Sequence, residues 1–128
     1  MDSESTKNIS LQVIFNGEVI FQSYRHWLFP LFDLEDYLEE HPIDIALAEV
    51  HDKVIGKAAA LLILRLGAGS VHGDLMSELA DAVLRQAGIP HTFDKLVKRI
   101  DCQTEEILLE IDDPDAAHSI LCKRANRC

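Results

Sequence analysis

Two residues, Asn16 and Gly17, constrain this chain more than any others. They separate residues 11–15 (LQVIF) from residues 18–22 (EVIFQ), both rich in β-branched and aromatic side chains. A two-residue type I′ turn needs positive φ at both central positions, which Asn and Gly tolerate best, so the segment reads as a β-hairpin. Everything that follows has to be built onto that antiparallel pair.

Downstream the period changes repeatedly between two and 3.6. A first helix is expected over about residues 33–41, where Leu34, Tyr37 and Leu38 form an apolar stripe that Pro42 ends. Residues 43–50 (IDIALAEV) fit a strand better than a helix because the segment is short and isolated by Pro42. Asp52 can cap a helix running to about Leu66, apolar on most sides and therefore central and buried. A strand near residues 70–75 precedes a helix capped by Ser77, with Leu79, Val83, Leu84 and Ala87 facing inward and Gly88 and Pro90 closing it. A strand over roughly residues 91–100, a short helix opened by Thr104 and a last helix opened by Asp113-Pro114 complete the order. Alternation of this kind predicts an α/β fold with a mixed sheet and helices on both faces, a three-layer α/β/α sandwich. Residues 1–8 read as a disordered lead-in and residues 9–128 as a single domain, a size that holds one core without staples.

Composition narrows the function classes. The net charge of −10 opposes a nucleic-acid backbone as partner. The longest apolar run, Ala58 to Leu64, is far short of a membrane span, and the N-terminus has no secretory pattern, so a cytoplasmic protein is expected. Eight acids and no Lys or Arg lie between His26 and Asp52, whereas the end, CKRANRC, is basic. The acidic block suits a solvated helix face or a docking face for a basic partner. Cys102, Cys122 and Cys128 match no zinc spacing and are expected as reduced thiols, with no metal and no cofactor called for. His118 and Cys122, four apart near Cys128, are expected as an ordinary solvent-facing histidine and a reduced thiol rather than a metal site.

One stretch looks like a site. If the helix opens at Asp52, then Lys53 and Lys57 share a helical face at its N-terminus, where the dipole and the free N–H groups already attract anions. Cations are not what structure alone would choose there, so a bound phosphate or carboxylate makes sense of the pattern. Gly56 inside such a helix costs about 1 kcal/mol relative to Ala, which implies a close neighbour. The alternative is that Asp52 only caps, both lysines reach solvent and Gly56 admits a helix. Ser77 and Glu78 open a second helix after a strand, so both N-termini can face one crevice at the carboxyl ends of parallel strands. The simpler reading of Ser77 is a cap alone, with Glu78 favouring the dipole from the first turn. Cys102 precedes a helix start, which favours a thiolate, while Asp101, Glu105 and Glu106 oppose one.

The stretch DKVIGKAAALLIL resembles the hallmark of a small bacterial and archaeal family of unknown function whose members share the cytidine deaminase fold. Ser77-Glu78-x-Ala80 resembles that family's Ser-Glu-x-Ala helix start, Cys102 with Glu105 its Cys-Pro-x-Glu segment, and Asp113-Pro114 onward its last helix. The likeness covers about residues 9 to 122 and departs at Gln103, which stands where the family has Pro. In zinc deaminases two helix starts supply the metal as H-x-E and P-C-x-x-C. By resemblance those starts fall near Asp52-Lys53 and Ser77-Glu78, where neither motif is present, so zinc-dependent deamination is not expected. Two functions remain open. One is a ligand site, catalytic or not, for a small anionic metabolite or nucleotide, built from Asp52, Lys53, Gly56, Lys57, Ser77, Glu78 and Cys102. The other is a non-catalytic interaction protein with a vestigial site, internal ion pairs at the lysines and an oligomer such as a homodimer.

Overall fold

The computed structural model describes residues 9–100 and 103–128. Strands β1 (Leu11–Phe15) and β2 (Glu18–Ser23) pair antiparallel about Asn16 and Gly17, whose φ values of 54° and 78° are those the hairpin reading required. A register shift between Val13 and Ile14 marks a bulge in this hairpin. Helix α1 (Phe29–Glu40) follows, then a 3₁₀ turn (Ile45–Leu47), β3 (Ala48–Ile55), α2 (Lys57–Leu66), β4 (Ser70–Ser77) and α3 (Glu78–Gln86). The chain ends with β5 (His91–Val97), the short α4 (Gln103–Ile107) and α5 (Pro114–Arg124). The strands form one mixed sheet in the order β2-β1-β3-β4-β5, with β1 antiparallel to β3 and the β3–β4 and β4–β5 pairs parallel. An α/β fold is therefore established.

Three expectations shift. The first helix starts four residues early, because Pro30 in its first turn presets helical φ where the polar Asp33 had looked like the start. The expected strand at 43–50 slides forward to Ala48–Ile55, displacing the start of the central helix from Asp52 to Lys57. Pairing decides this: Val54 and Ile55 ladder onto Leu75 and Met76 of β4, and that gain outweighs the local helical pattern of DKVIGK. Asp52 is thus a strand residue rather than a helix cap, and Lys53 does not share a helical face with Lys57. Finally, Cys122 and Cys128 form a disulfide in place of the free thiols expected. Their Cα atoms lie 5.7 Å apart because the chain turns back after α5.

The core lies between the sheet and α2. Leu11, Val13, Val50 and Val71 are fully buried on one face of the sheet, against the Ala58–Ile63 stretch of α2, which in turn touches α1, α3, α4 and α5. Alternate side chains Gln12, His51, His72 and Thr92 form a polar row on the other face, held in register across four strands. The acidic block is answered in part within the chain. Arg25 pairs with Asp33, Arg65 with Glu35 and Arg127 with Asp36, at 2.7–2.8 Å, so the basic C-terminus neutralises part of α1. His118, expected as an ordinary histidine, joins this group 3.0 Å from Glu35.

Candidate functional site

At the carboxyl end of β3 the chain turns sharply into α2, and Gly56 is the hinge. It has extended φ and ψ and serves as the N-cap residue without a side chain to bond the helix. The missing cap comes from far along the chain. Glu105 of α4, only 1% exposed, accepts the Lys57 N–H at 2.8 Å and the Ser77 hydroxyl at 2.5 Å through one oxygen. Its other oxygen accepts the Ile100 N–H at 2.6 Å. A Cβ on Gly56 would stand 3.1 Å from that first oxygen, so the close neighbour implied by this glycine is a carboxylate, not a helix. The anion that the N-terminus of α2 attracts is the protein's own.

Ser77 does cap α3, accepting the Ala80 N–H at 3.1 Å while donating to Glu105. The starts of α2 and α3 therefore meet, as the reading of parallel neighbours anticipated, and Glu105 fills the space between them. Lys57 is turned away from it. Its side chain is buried and its Nζ reaches Asp112 at 2.8 Å and the Leu109 carbonyl at 3.1 Å, which ties α2 to the loop before α5. That internal ion pair is the structural role weighed for the lysines.

Beside this junction lies a cavity of about 240 Å³. Its walls are largely apolar, with Trp27, Leu28, Ala58, Ala59 and Ile100 contributing, and Asp52, Lys53, Gly56 and Glu105 also line it. Arg25 and His26 complete the lining from the loop that enters α1. That loop holds Trp27 at φ 59°, a conformation that costs energy for a bulky side chain and persists only where the surroundings impose it. Here Phe29 does so: Trp27 meets its ring edge-on at 5.2 Å, and the Arg25 guanidinium lies 4.4 Å over the same ring.

Asp52 shares the inward face of the sheet with Leu11, its partner on β1, and with Val50. Burial pushes its carboxyl up to about 7, against the N–H groups of Val54 and Lys53, and Asp74 on β4 adds to the rise. A carboxyl that exchanges its proton near neutrality, beside a half-closed apolar cavity, can accept or donate a hydrogen bond and can move a proton.

The expected site residues thus separate. Asp52, Lys53 and Gly56 line the cavity; Lys57 and Ser77 are buried behind it; Glu78 is exposed in the first turn of α3. Cys102 lies outside the described residues. Arg25, His26 and Trp27 had not been singled out, and nothing local marks them except that Trp27 is the chain's single tryptophan. Glu105 had been noticed only as part of a family-like segment.

Among the described residues no helix is long and apolar enough to cross a membrane. No curated protein matches the chain in sequence. A crystal structure of a DUF1893 family protein, TM1506 from Thermotoga maritima, is similar over 94% of this chain and 83% of that one, with a TM-score of 0.80 and 26% identity. Residues 5–124 match the family described as TM1506, Domain of unknown function (DUF1893), and with nearly the whole sequence matched the chain belongs to that family.

Proposed function

We propose that the chain binds a small anionic, nucleotide-like metabolite in the cavity between the Arg25–Leu28 loop, the end of β3 and the start of α2. The observation that carries this reading is the position of Asp52, a half-buried carboxyl in a largely apolar cavity toward the carboxyl end of a parallel strand. At about 240 Å³ the space is at the small end of ligand cavities, which suits a single heterocyclic ring rather than a dinucleotide. Such a ring stacks on Trp27 and exchanges hydrogen bonds with Asp52, and an anionic group attached to it lies near Arg25 and Lys53. This places the anion at the rim of the cavity, since Glu105 occupies the ground between the two helix starts. Any reaction would use Asp52 as the proton-transferring group. Zinc-dependent deamination is not part of the reading, because the H-x-E and P-C-x-x-C motifs are not in the sequence.

The finer architecture, a cytidine-deaminase-like three-layer sandwich, belongs to the same proposal. Its support is the opening hairpin at one edge of a mixed sheet followed by two parallel strand–helix–strand units. A layer over the Gln12–His51–His72 face would be held by polar contacts rather than by an apolar core. The interaction-protein reading keeps one specific support, the ion pair of buried Lys57 with exposed Asp112, which is what a vestigial site would leave.

The test is a thermal-shift panel of nucleobases, nucleosides and nucleoside monophosphates on wild type, Trp27→Ala and Asp52→Asn. A ligand at a hundred times its Kd stabilises by about 2.7 kcal/mol, which is about 10 °C for a domain of this size. We expect a shift of that order for at least one monophosphate, reduced at least tenfold in affinity by either substitution. A flat panel on wild type, or equal shifts in all three proteins, overturns the proposal and leaves the interaction reading.

A further inference from the structure

The polar face of the sheet carries a second cluster, independent of the cavity. His72 and Asp74 lie two residues apart on β4, and Asp94 lies two beyond Thr92 on β5, so all three side chains project from the same face. The parallel register brackets the two aspartates, with Gly73 opposite Phe93 and Leu75 opposite Lys95. Asp74 and Asp94 therefore stand side by side on neighbouring strands. Like charges in that relation destabilise a sheet unless something positive stands between them.

His72 stands at that place, but at an unusual distance. Its Nε2 lies 3.3 Å from Asp94 Oδ1 and 3.6 Å from Asp74 Oδ1. Other histidine–carboxylate contacts in this chain are shorter: His51 to Glu49 and His91 to Asp81 close to 2.7 Å, and His118 to Glu35 to 3.0 Å. Ligands at about 2.0–2.2 Å from a tetrahedral metal are separated by about 3.4 Å, which is the spacing around His72. The other ring nitrogen, Nδ1, is held by Thr92 Oγ1 at 2.7 Å, the kind of outer contact that orients a ligating imidazole. One potential ligand atom from each of the three residues falls within 4.8 Å of the others.

We infer that His72, Asp74 and Asp94 bind one divalent transition-metal ion on the polar face of the sheet. One imidazole and two carboxylates suit zinc or manganese. Three protein ligands on two rigid strands leave at least one position for water or for a group brought by a partner. His51, whose ring lies 5.3 Å from that of His72, borders the open side.

The experiment is calorimetric titration of the full chain, stripped with chelator, with zinc and with manganese chloride, beside His72→Gln, Asp94→Asn and Thr92→Val. Wild type should bind one equivalent of at least one of the two metals. His72→Gln and Asp94→Asn should each weaken it at least tenfold, and Thr92→Val should weaken it less, with circular dichroism showing all four folded. A control, His118→Gln, should bind as wild type does. Asp94 is exposed, so its variant keeps the test valid if the His72 variant is unstable. Absence of one-equivalent binding in wild type, or unchanged binding in both ligand variants, overturns the inference and leaves His72 as a polar bridge between two aspartates.

Discussion

At the scale of the residue, Asp52 shows how position alone can change what a side chain does. Its ordinary value of 3.8 rises to about 7 mainly because the carboxyl is buried. The charged and titratable groups around it are Asp74 on β4, Arg25 and His26 on the loop before α1, Lys53 beside it and Glu105 on α4. The folded protein holds this proton more tightly than the unfolded chain. Its contribution to stability is therefore full below about pH 4 and lost as pH rises through about 7. Asp52→Asn, which cannot ionise, should flatten the pH dependence of Tm between pH 4 and 7.5. Above pH 7 it should melt higher than wild type by several degrees. A Tm profile parallel to wild type across that range would show that Asp52 ionises freely in the folded state.

At the scale of the element, the junction of α2, α3 and α4 depends on a single carboxylate. Replacing Glu105 with Gln keeps the shape but leaves one acceptor oxygen for three donors, the Lys57 and Ile100 N–H groups and the Ser77 hydroxyl. Each buried donor left without a partner costs about 1–3 kcal/mol, so a loss of about 2–4 kcal/mol is expected in urea unfolding. Glu78→Gln, on the exposed first turn of α3, should cost no more than about 0.5 kcal/mol. The same junction explains which parts of the fold were legible beforehand. Asn16-Gly17, Ser77 and Asp113-Pro114 act within four residues, and each was readable because its physics is local. The start of α2 was not, because DKVIGK has helical spacing and only the ladder to β4 draws Lys53 to Ile55 into a strand. The sequence reading expects a bound phosphate or carboxylate near Lys53 and Lys57, and the structure has the Glu105 carboxylate at the start of α2. Charge and spacing signal that a helix start attracts a carboxylate, but not that the carboxylate sits 48 residues later in the same chain.

At the scale of the molecule, a disulfide and a set of ion pairs reinforce the C-terminal segment, whose Leu108, Ala117 and Leu121 are fully buried in the core. The Cys122–Cys128 bond closes a loop of sequence separation 6. Loop-closure entropy for so short a ring is worth about 2 kcal/mol, so reduction should lower Tm by several degrees without unfolding the protein at 25 °C. Thiol titration under denaturing conditions should find one free cysteine before reduction and all three after it. Three free thiols at the outset would contradict the bond. Arg127 pairs with Asp36 and so holds the disulfide-closed end of the chain against α1. Glu105 gives that arrangement a temporal meaning. As the chain leaves the ribosome, β3, α2, β4 and α3 emerge before the residue that seals the starts of both helices. Until α4 follows, a nascent chain carries the uncapped, electropositive start of α2 beside the Ser77-capped start of α3. The junction of the two helix starts is thus made contingent on synthesis as far as Glu105, and a chain cut short before it lacks the group that joins its two parallel crossovers.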